Sequence, residues 1–235
     1  MTAPGDVEWR NFYGRRHGKT LRAGQKALLE TRLAELAPPG VSVDDNPDRA
    51  PIDPGAMFPG KREIWLEVGF GGGEHMLAQA AANPDVGLIG CEPFINGVAM
   101  LLAAIERDGV ANVRIHAGDA RFLLDVLPDA SIGRFFLLYP DPWPKMRHWR
   151  RRFIDDANLD ALARVLRPGA GFRIATDIDA YVRHTRKHFA RRDDFAPDPA
   201  HPDERTPWDD WPGTRYEAKA LREGRRPTYL SYLRT

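Results

Sequence analysis

A chain of 235 residues is long enough to bury one α/β core without help from disulfides or metal. Its 34 basic and 33 acidic side chains leave a net charge of +1, so bulk charge singles out no class of partner. A single cysteine, Cys91, rules out an internal disulfide; no apolar run approaches the roughly 20 residues that cross a bilayer, and MTAPGDVEWR lacks a signal-peptide core, so a cytoplasmic protein is expected.

Residues 9–26, WRNFYGRRHGKTLRAGQK, interleave Trp9, Phe12 and Tyr13 with Arg10, Arg15, Arg16, Lys19, Arg22 and Lys26. With so few aliphatics the segment predicts a mobile basic arm rather than a core element. Ala27, Leu28, Leu29, Leu33 and Leu36 stand near helical spacing, which predicts a short helix over 24–36, stopped by PPG at 38–40. An acidic, proline-bearing loop follows to about residue 60.

From Ile64 the chain alternates between apolar runs and helical patterns: IWLEVG, EHMLAQAA, VGLIGC, INGVAMLLAAIERDG and NVRIH. That order predicts a parallel sheet. Strands are also expected at 134–139 and 171–176, separated by a helix over about 153–166 that RPGAG ends. Residues 197–213 carry five prolines and no periodicity, which predicts a loop; PTYLSYL near the end alternates as a late strand does. His184 and His188 form an HxxxH pair, but Arg183, Arg186 and Lys187 surround it and no glutamate follows His184, so a basic solvated helix face is expected and no metal site.

Glu67-Val68-Gly69-Phe70-Gly71-Gly72-Gly73-Glu74 ends the first strand and opens a helix, where glycines let backbone approach a ligand. Glu74 stands where a dinucleotide fingerprint wants a small residue, which argues against a dehydrogenase. Acids at both ends of the loop suit a ligand with a cationic amino-acid end, and S-adenosyl-L-methionine carries an ammonium and a sulfonium. Glu67 is expected to face that end. Glu92, at the tip of the second strand, can accept both ribose hydroxyl protons, and Asp119, after the third, the adenine amine. Glu67, Gly69, Gly71, Gly73, Glu92 and Asp119 together form the expected cofactor site.

The fourth strand runs into Tyr139-Pro140-Asp141-Pro142-Trp143-Pro144-Lys145, a loop stiffened by alternate prolines at the strand tips, where open α/β sheets keep their ligands. Asp141 is thus a rigid carboxylate beside an aromatic and a cation. Arg147, His148, Trp149, Arg150, Arg151 and Arg152 follow directly, a run suited to phosphate contact and base stacking.

These segments are similar to the bacterial tRNA (guanine-N7)-methyltransferase family, whose marker is PDPW followed by a lysine and a basic run. The similarity spans RNFYGRRHGKTLRAGQ, LEVGFGGGEHM, GCEPF, PDPWPKMRHWRRR, ATDIDAY and GTRYEAKA. It implies a Rossmann-like class I methyltransferase fold, a mostly parallel twisted sheet with helices on both faces, over residues 61–235. The basic arm, short helix and loop would occupy 1–60. It further implies S-adenosyl-L-methionine as cofactor and tRNA as partner, with the variable-loop guanine as target. Glu67, Glu92, Asp119 and Asp141 resemble the family's cofactor-site residues, and Asp141 also its catalytic one. Lys145, Asp177 and the run Thr214, Arg215, Tyr216 and Glu217 resemble its substrate contacts. TRYE stands here where TKFE is frequent, and Asp179 and Ala180 replace an aromatic-bearing pair.

Guanine N7 has a lone pair and no proton to lose, so its methylation needs alignment more than a general base. A fixed carboxylate at the N1 and N2 edge would offset the positive charge that grows on the purine, and Asp141 and Asp177 are the candidates. Two other readings stay open: methylation of an exocyclic amine, and RNA binding without catalysis. The prolines flank the acid instead of following it as a pair, which weighs against the first; the full set of acids weighs against the second.

Overall fold

The computed structural model describes residues 12–235. Trp9 and Arg10 of the arm lie outside the described residues. Three short helices precede the sheet: α1 (Ala23–Thr31), α2 (Leu33–Leu36) and α3 (Pro54–Met57). Asp53 caps α3, its Oδ1 accepting from the Gly55 amide at 2.9 Å, and Pro54 stands at the first helical position where its missing N–H costs nothing.

The expected alternation then follows as β1 (Glu63–Val68), α4 (Glu74–Ala82), β2 (Val86–Cys91), α5 (Ile95–Asp108), β3 (Val113–His116), α6 (Ala120–Val126), β4 (Ile132–Leu138), α7 (Asp156–Val165), β5 (Leu166–Thr176) and α8 (Asp179–Phe189). It closes with β6 (Phe195–Pro197), α9 (Arg215–Arg222) and β7 (Thr228–Arg234). The helix before β5 ends at Val165, but RPGAG lies within β5 itself, whose pairing with β4 shifts register between Ile132 and Arg134. The sequence pattern alone does not predict β6, α6 or α9.

Seven strands form one sheet in the order β3-β2-β1-β4-β5-β7-β6, with β7 antiparallel to β5 and β6 and the rest parallel. Strand alternation sends Leu66, Val68, Phe135, Leu137, Phe172 and Ile174 to one face, under α6, α7 and α8. Trp65, Leu88, Phe136, Leu138 and Ala175 go to the other, under α4 and α5. Both faces are therefore dry, as a parallel sheet requires. Burying one such phenylalanine contributes about 1.5–3 kcal/mol relative to leaving it in water.

Sequence order reverses at β1, with β2 and β3 to one side and β4 and β5 to the other. The crevice at the strand tips there is where such sheets hold ligands. Arg183, Arg186 and Lys187 are exposed as expected, but His184 and His188 are half-buried: His184 Nε2 meets the Ile154 carbonyl at 2.7 Å and His188 Nδ1 meets Asp156 at 2.6 Å, joining α8 to α7 and to the chain just before it.

Candidate active site

The glycine loop leaves β1 in left-handed turns, with φ of 76° at Gly69, 58° at Gly71 and 81° at Gly73, values that only glycine adopts freely. The start of α5 lies directly against it. A Cβ on Gly97 would fall 2.1 Å from the Gly71 carbonyl oxygen, so this contact requires glycine at position 97 as well. Between the two runs Glu92, 8% exposed, accepts from the Gly71 amide at 2.7 Å and from the Phe94 amide at 2.9 Å. Burial raises its carboxyl above the usual glutamate range against the pull of those two bonds, and the nearby Asp141 charge adds to the rise.

A cavity of about 430 Å³ opens above this floor, with Gly69, Gly71, Glu92, Asp119 and Asp141 on its walls. Four of the expected cofactor groups are thus together with the proposed catalytic acid. Asp141 is reached by solvent through the open mouth, yet the protein around it desolvates the carboxyl and raises it, with the Arg15 charge opposing. Its loop is bent hard: Tyr139 has φ 51° and Trp143 φ 41°, both unusual for side chains with a Cβ. Each such residue costs about 1–3 kcal/mol, and surrounding bonds must hold it.

Gly73 is not on the wall, being packed at the start of α4 against Leu101, and Glu67 departs from expectation too. It is absent from the cavity wall and 2% exposed, its carboxylate 2.7 Å from His75 Nδ1. Register explains this. Glu67 follows Trp65 on the α4 face of β1, where His75 packs between Phe136 and Trp211 at ring separations of 4.7 and 5.3 Å. Asp119 is on the wall but engaged: it caps α6 through the Arg121 amide and holds the Arg121 guanidinium at 2.5 Å.

The substrate candidates separate into wall and frame. Tyr216 stacks over Tyr139 at 6.5 Å and closes the cavity beside Gly71, while Arg215 reaches Glu74 at 3.4 Å. Thr214 is the N-cap of α9, accepting from the Glu217 amide at 3.1 Å. Glu217 accepts from Trp211 Nε1 at 2.9 Å and from the Tyr229 hydroxyl, so it anchors α9 to the sheet. Asp177 is ion-paired with Arg225. Lys145 stands exposed at the N-terminus of a 3-10 helix, Met146–Arg151, and is not on the cavity wall.

The basic run divides too. Arg147 and Arg150 are exposed, Trp149 is 41% exposed, and Arg147 Nε lies 3.3 Å from His148 Nε2. Arg151 lies over the rings of Tyr13 and Trp143, at 4.3 and 4.9 Å. Arg152, expected among the RNA contacts, is 2% exposed and turned inward to backbone carbonyls. A buried guanidinium cannot meet phosphate.

The arm is also placed differently. Rather than standing free, Phe12, Tyr13, Gly14 and Arg15 line the cavity. Beyond them the chain is tied to α5: the Ile95 amide donates to the Arg16 carbonyl at 3.0 Å, the Gly18 amide to Asn96 Oδ1 at 2.7 Å, and Asn96 Nδ2 to the Lys19 carbonyl at 2.7 Å. The sequence does not reveal His75, Asn96, Gly97, Arg121 or Arg225 as site residues, because each acts through a partner that spacing does not identify. Gly97 alone leaves a signal, a glycine inside a helical pattern.

The family model described as "Putative methyltransferase" matches residues 61–230. The chain is 59% identical to the tRNA (guanine-N(7)-)-methyltransferase of Roseobacter denitrificans over 225 residues, covering 96% of each. The chain belongs to the tRNA (guanine-N7)-methyltransferase family. The Paracoccus denitrificans member is 58% identical, with 96% of this chain and 95% of that one covered. Among solved structures, the 16S rRNA methyltransferase KamB overlays with a TM-score of 0.51 at 14% identity, over 77% of this chain and 92% of that one. At that identity the likeness shows the shared methyltransferase fold alone, as expected for a Rossmann-like sheet covered by helices on both faces.

Proposed function

We propose that this protein transfers a methyl group from S-adenosyl-L-methionine to N7 of a guanine in tRNA, the variable-loop guanine, and that it works in the cytoplasm. The carrying observation is the Asp141 carboxylate on the wall of the same cavity as Glu92 and the bare backbone of the glycine loop. Among the described residues no helix is long and apolar enough to cross a membrane.

The residues present fit the cofactor. Gly69 and Gly71 present bare backbone to the cavity, and Tyr216 and Arg215 reach across Gly71, where a Cβ would sit 3.1 Å from the Tyr216 ring, so only glycine leaves room between floor and wall. Glu92 and Asp141 are both raised by desolvation, which a cationic ligand would relieve. When bound, the cofactor supplies an electrophilic methyl group on a sulfonium.

The protein's own work is alignment and charge. Glu92, its geometry set by two backbone amides, presents its remaining lone pairs to hydroxyl groups. Asp141 accepts from the guanine N1 and N2 edge and offsets the positive charge that grows as N7 attacks. Tyr216, stacked on Tyr139, bounds the cavity on the side of α9. Asp177 reaches a guanine only if its bond to Arg225 is exchanged; Thr214 and Glu217 serve by holding α9 in place. Arg15, Arg147, Arg150 and Lys145 meet phosphates around the mouth.

Asp141→Ala is expected to lower the single-turnover rate of methyl transfer to tRNA by at least about 100-fold, with tRNA affinity within a few-fold of the parent. An Asp141→Ala protein of parental rate contradicts the assignment.

A further inference from the structure

Arg152 is among the largest side chains fully withdrawn from solvent, and its guanidinium is held by carbonyls. Nε donates to the Pro142 carbonyl at 2.9 Å, Nη2 to that of Trp143 at 3.4 Å, and Nη1 to that of Ala180 in α8 at 3.2 Å. Trp149 and Tyr181 cover it, with ring centroids 5.0 and 5.5 Å away. Burying a cation is unfavourable unless its donors are satisfied, and here they are spent on the loop that carries Asp141.

That loop cannot hold itself. Pro140, Pro142 and Pro144 remove every second N–H, so its backbone has few donors with which to close its own turns. Its carbonyls remain, and Trp143 must be kept at φ 41°. Arg152, at the edge of the same cavity, supplies the missing donors and ties the loop to α8. We propose that Arg152 is a positioning residue, fixing the Pro142 and Trp143 carbonyls so that the Asp141 carboxylate stays turned into the cavity. It acts through Asp141 and contacts neither RNA nor the reacting atoms. The inference rests on the methyl-transfer reading for its kinetic consequence, but not for its structural one.

The test compares Arg152→Lys and Arg152→Gln with the parent. Three quantities are read: kcat and KM for tRNA, tRNA affinity across a salt series, and the NMR signals of the Pro142 and Trp143 carbonyl carbons, the acceptors of Arg152, in the free protein. In Arg152→Gln, kcat is expected to fall about 100-fold, the scale of a roughly 1 Å misplacement, with parental tRNA affinity and salt slope. The two carbonyl signals move as their donors are lost, while those of β1 and β4 stay in place. Arg152→Lys, restoring charge and one donor, recovers part of the kcat.

A fall in tRNA affinity and salt slope at parental kcat would make Arg152 a phosphate contact and overturn the proposal. So would unmoved carbonyl signals in both variants, or global unfolding of Arg152→Lys, which would make it a general core residue. Should the parent transfer no methyl group, the functional reading fails, while the carbonyl signals still decide whether Arg152 holds the loop.

Discussion

A carboxyl group on a partly desolvated wall carries its function and a stability penalty in the same proton. Asp141 is raised by desolvation, so the native state binds its proton more tightly than the unfolded chain does, and ionising it above that pKa destabilises the fold. The penalty is present at neutral pH and is relieved as pH falls through the raised value. Asp141→Asn is therefore expected to melt higher than the parent at pH 7, with the difference closing in acid; a lower melting temperature at pH 7 contradicts the assigned environment. Activity runs the other way, since only the ionised form offsets purine charge, so transfer falls off on the acid side at a higher pH than an ordinary aspartate gives. The acids themselves are legible in the sequence as types at strand tips. Their partners are not: Asp119 with Arg121, Glu67 with His75 and Asp177 with Arg225 are each pairings that spacing alone leaves open, and a one-residue step along β1 decides whether an acid faces cavity or core.

At the level of elements, the glycine loop and α5 are one device, joined by Glu92 and by the close approach of Gly97 to the Gly71 carbonyl. Gly97→Ala forces the two apart. The expected result is a drop of about 1–3 kcal/mol in stability from overpacking. A weaker affinity for S-adenosyl-L-methionine accompanies it, while tRNA affinity holds; calorimetry with each ligand checks the split. The parallel core is readable because its apolar runs and helical patterns alternate strongly from Ile64 to His116 and again through β4, α7 and β5, with only the short α6 between them unmarked. α9 is not, since RYEAKALR is mostly polar and its helix depends on the Thr214 cap and on Glu217 reaching Trp211 and Tyr229. β6, three residues long, exists only by pairing with β7.

For the whole molecule, charge is distributed rather than net. Residues 12–15 lie along the mouth of the cavity, Gly18 and Lys19 are bonded to Asn96, and α1 and α2 are tied to α5 by Arg32, which meets Glu106 at 2.6 Å. Residues 12–19 thus supply part of the proposed RNA surface, beside the 3-10 helix whose Arg151 lies over the Tyr13 ring. Removing residues 1–22 takes away Arg15, Arg16, Lys19 and Arg22 and the Tyr13 ring under Arg151. Weaker tRNA binding is expected, with a salt slope shallower by about 0.7–0.9 for each phosphate that the arm neutralises. Unchanged affinity would remove the arm from the RNA surface. The most direct test of the central claim is to incubate the purified protein with labelled S-adenosyl-L-methionine and unmodified tRNA, digest the product and identify the labelled nucleoside. The parent is expected to yield 7-methylguanosine and Asp141→Ala none. A methylated exocyclic amine, or no transfer by the folded parent, would contradict it.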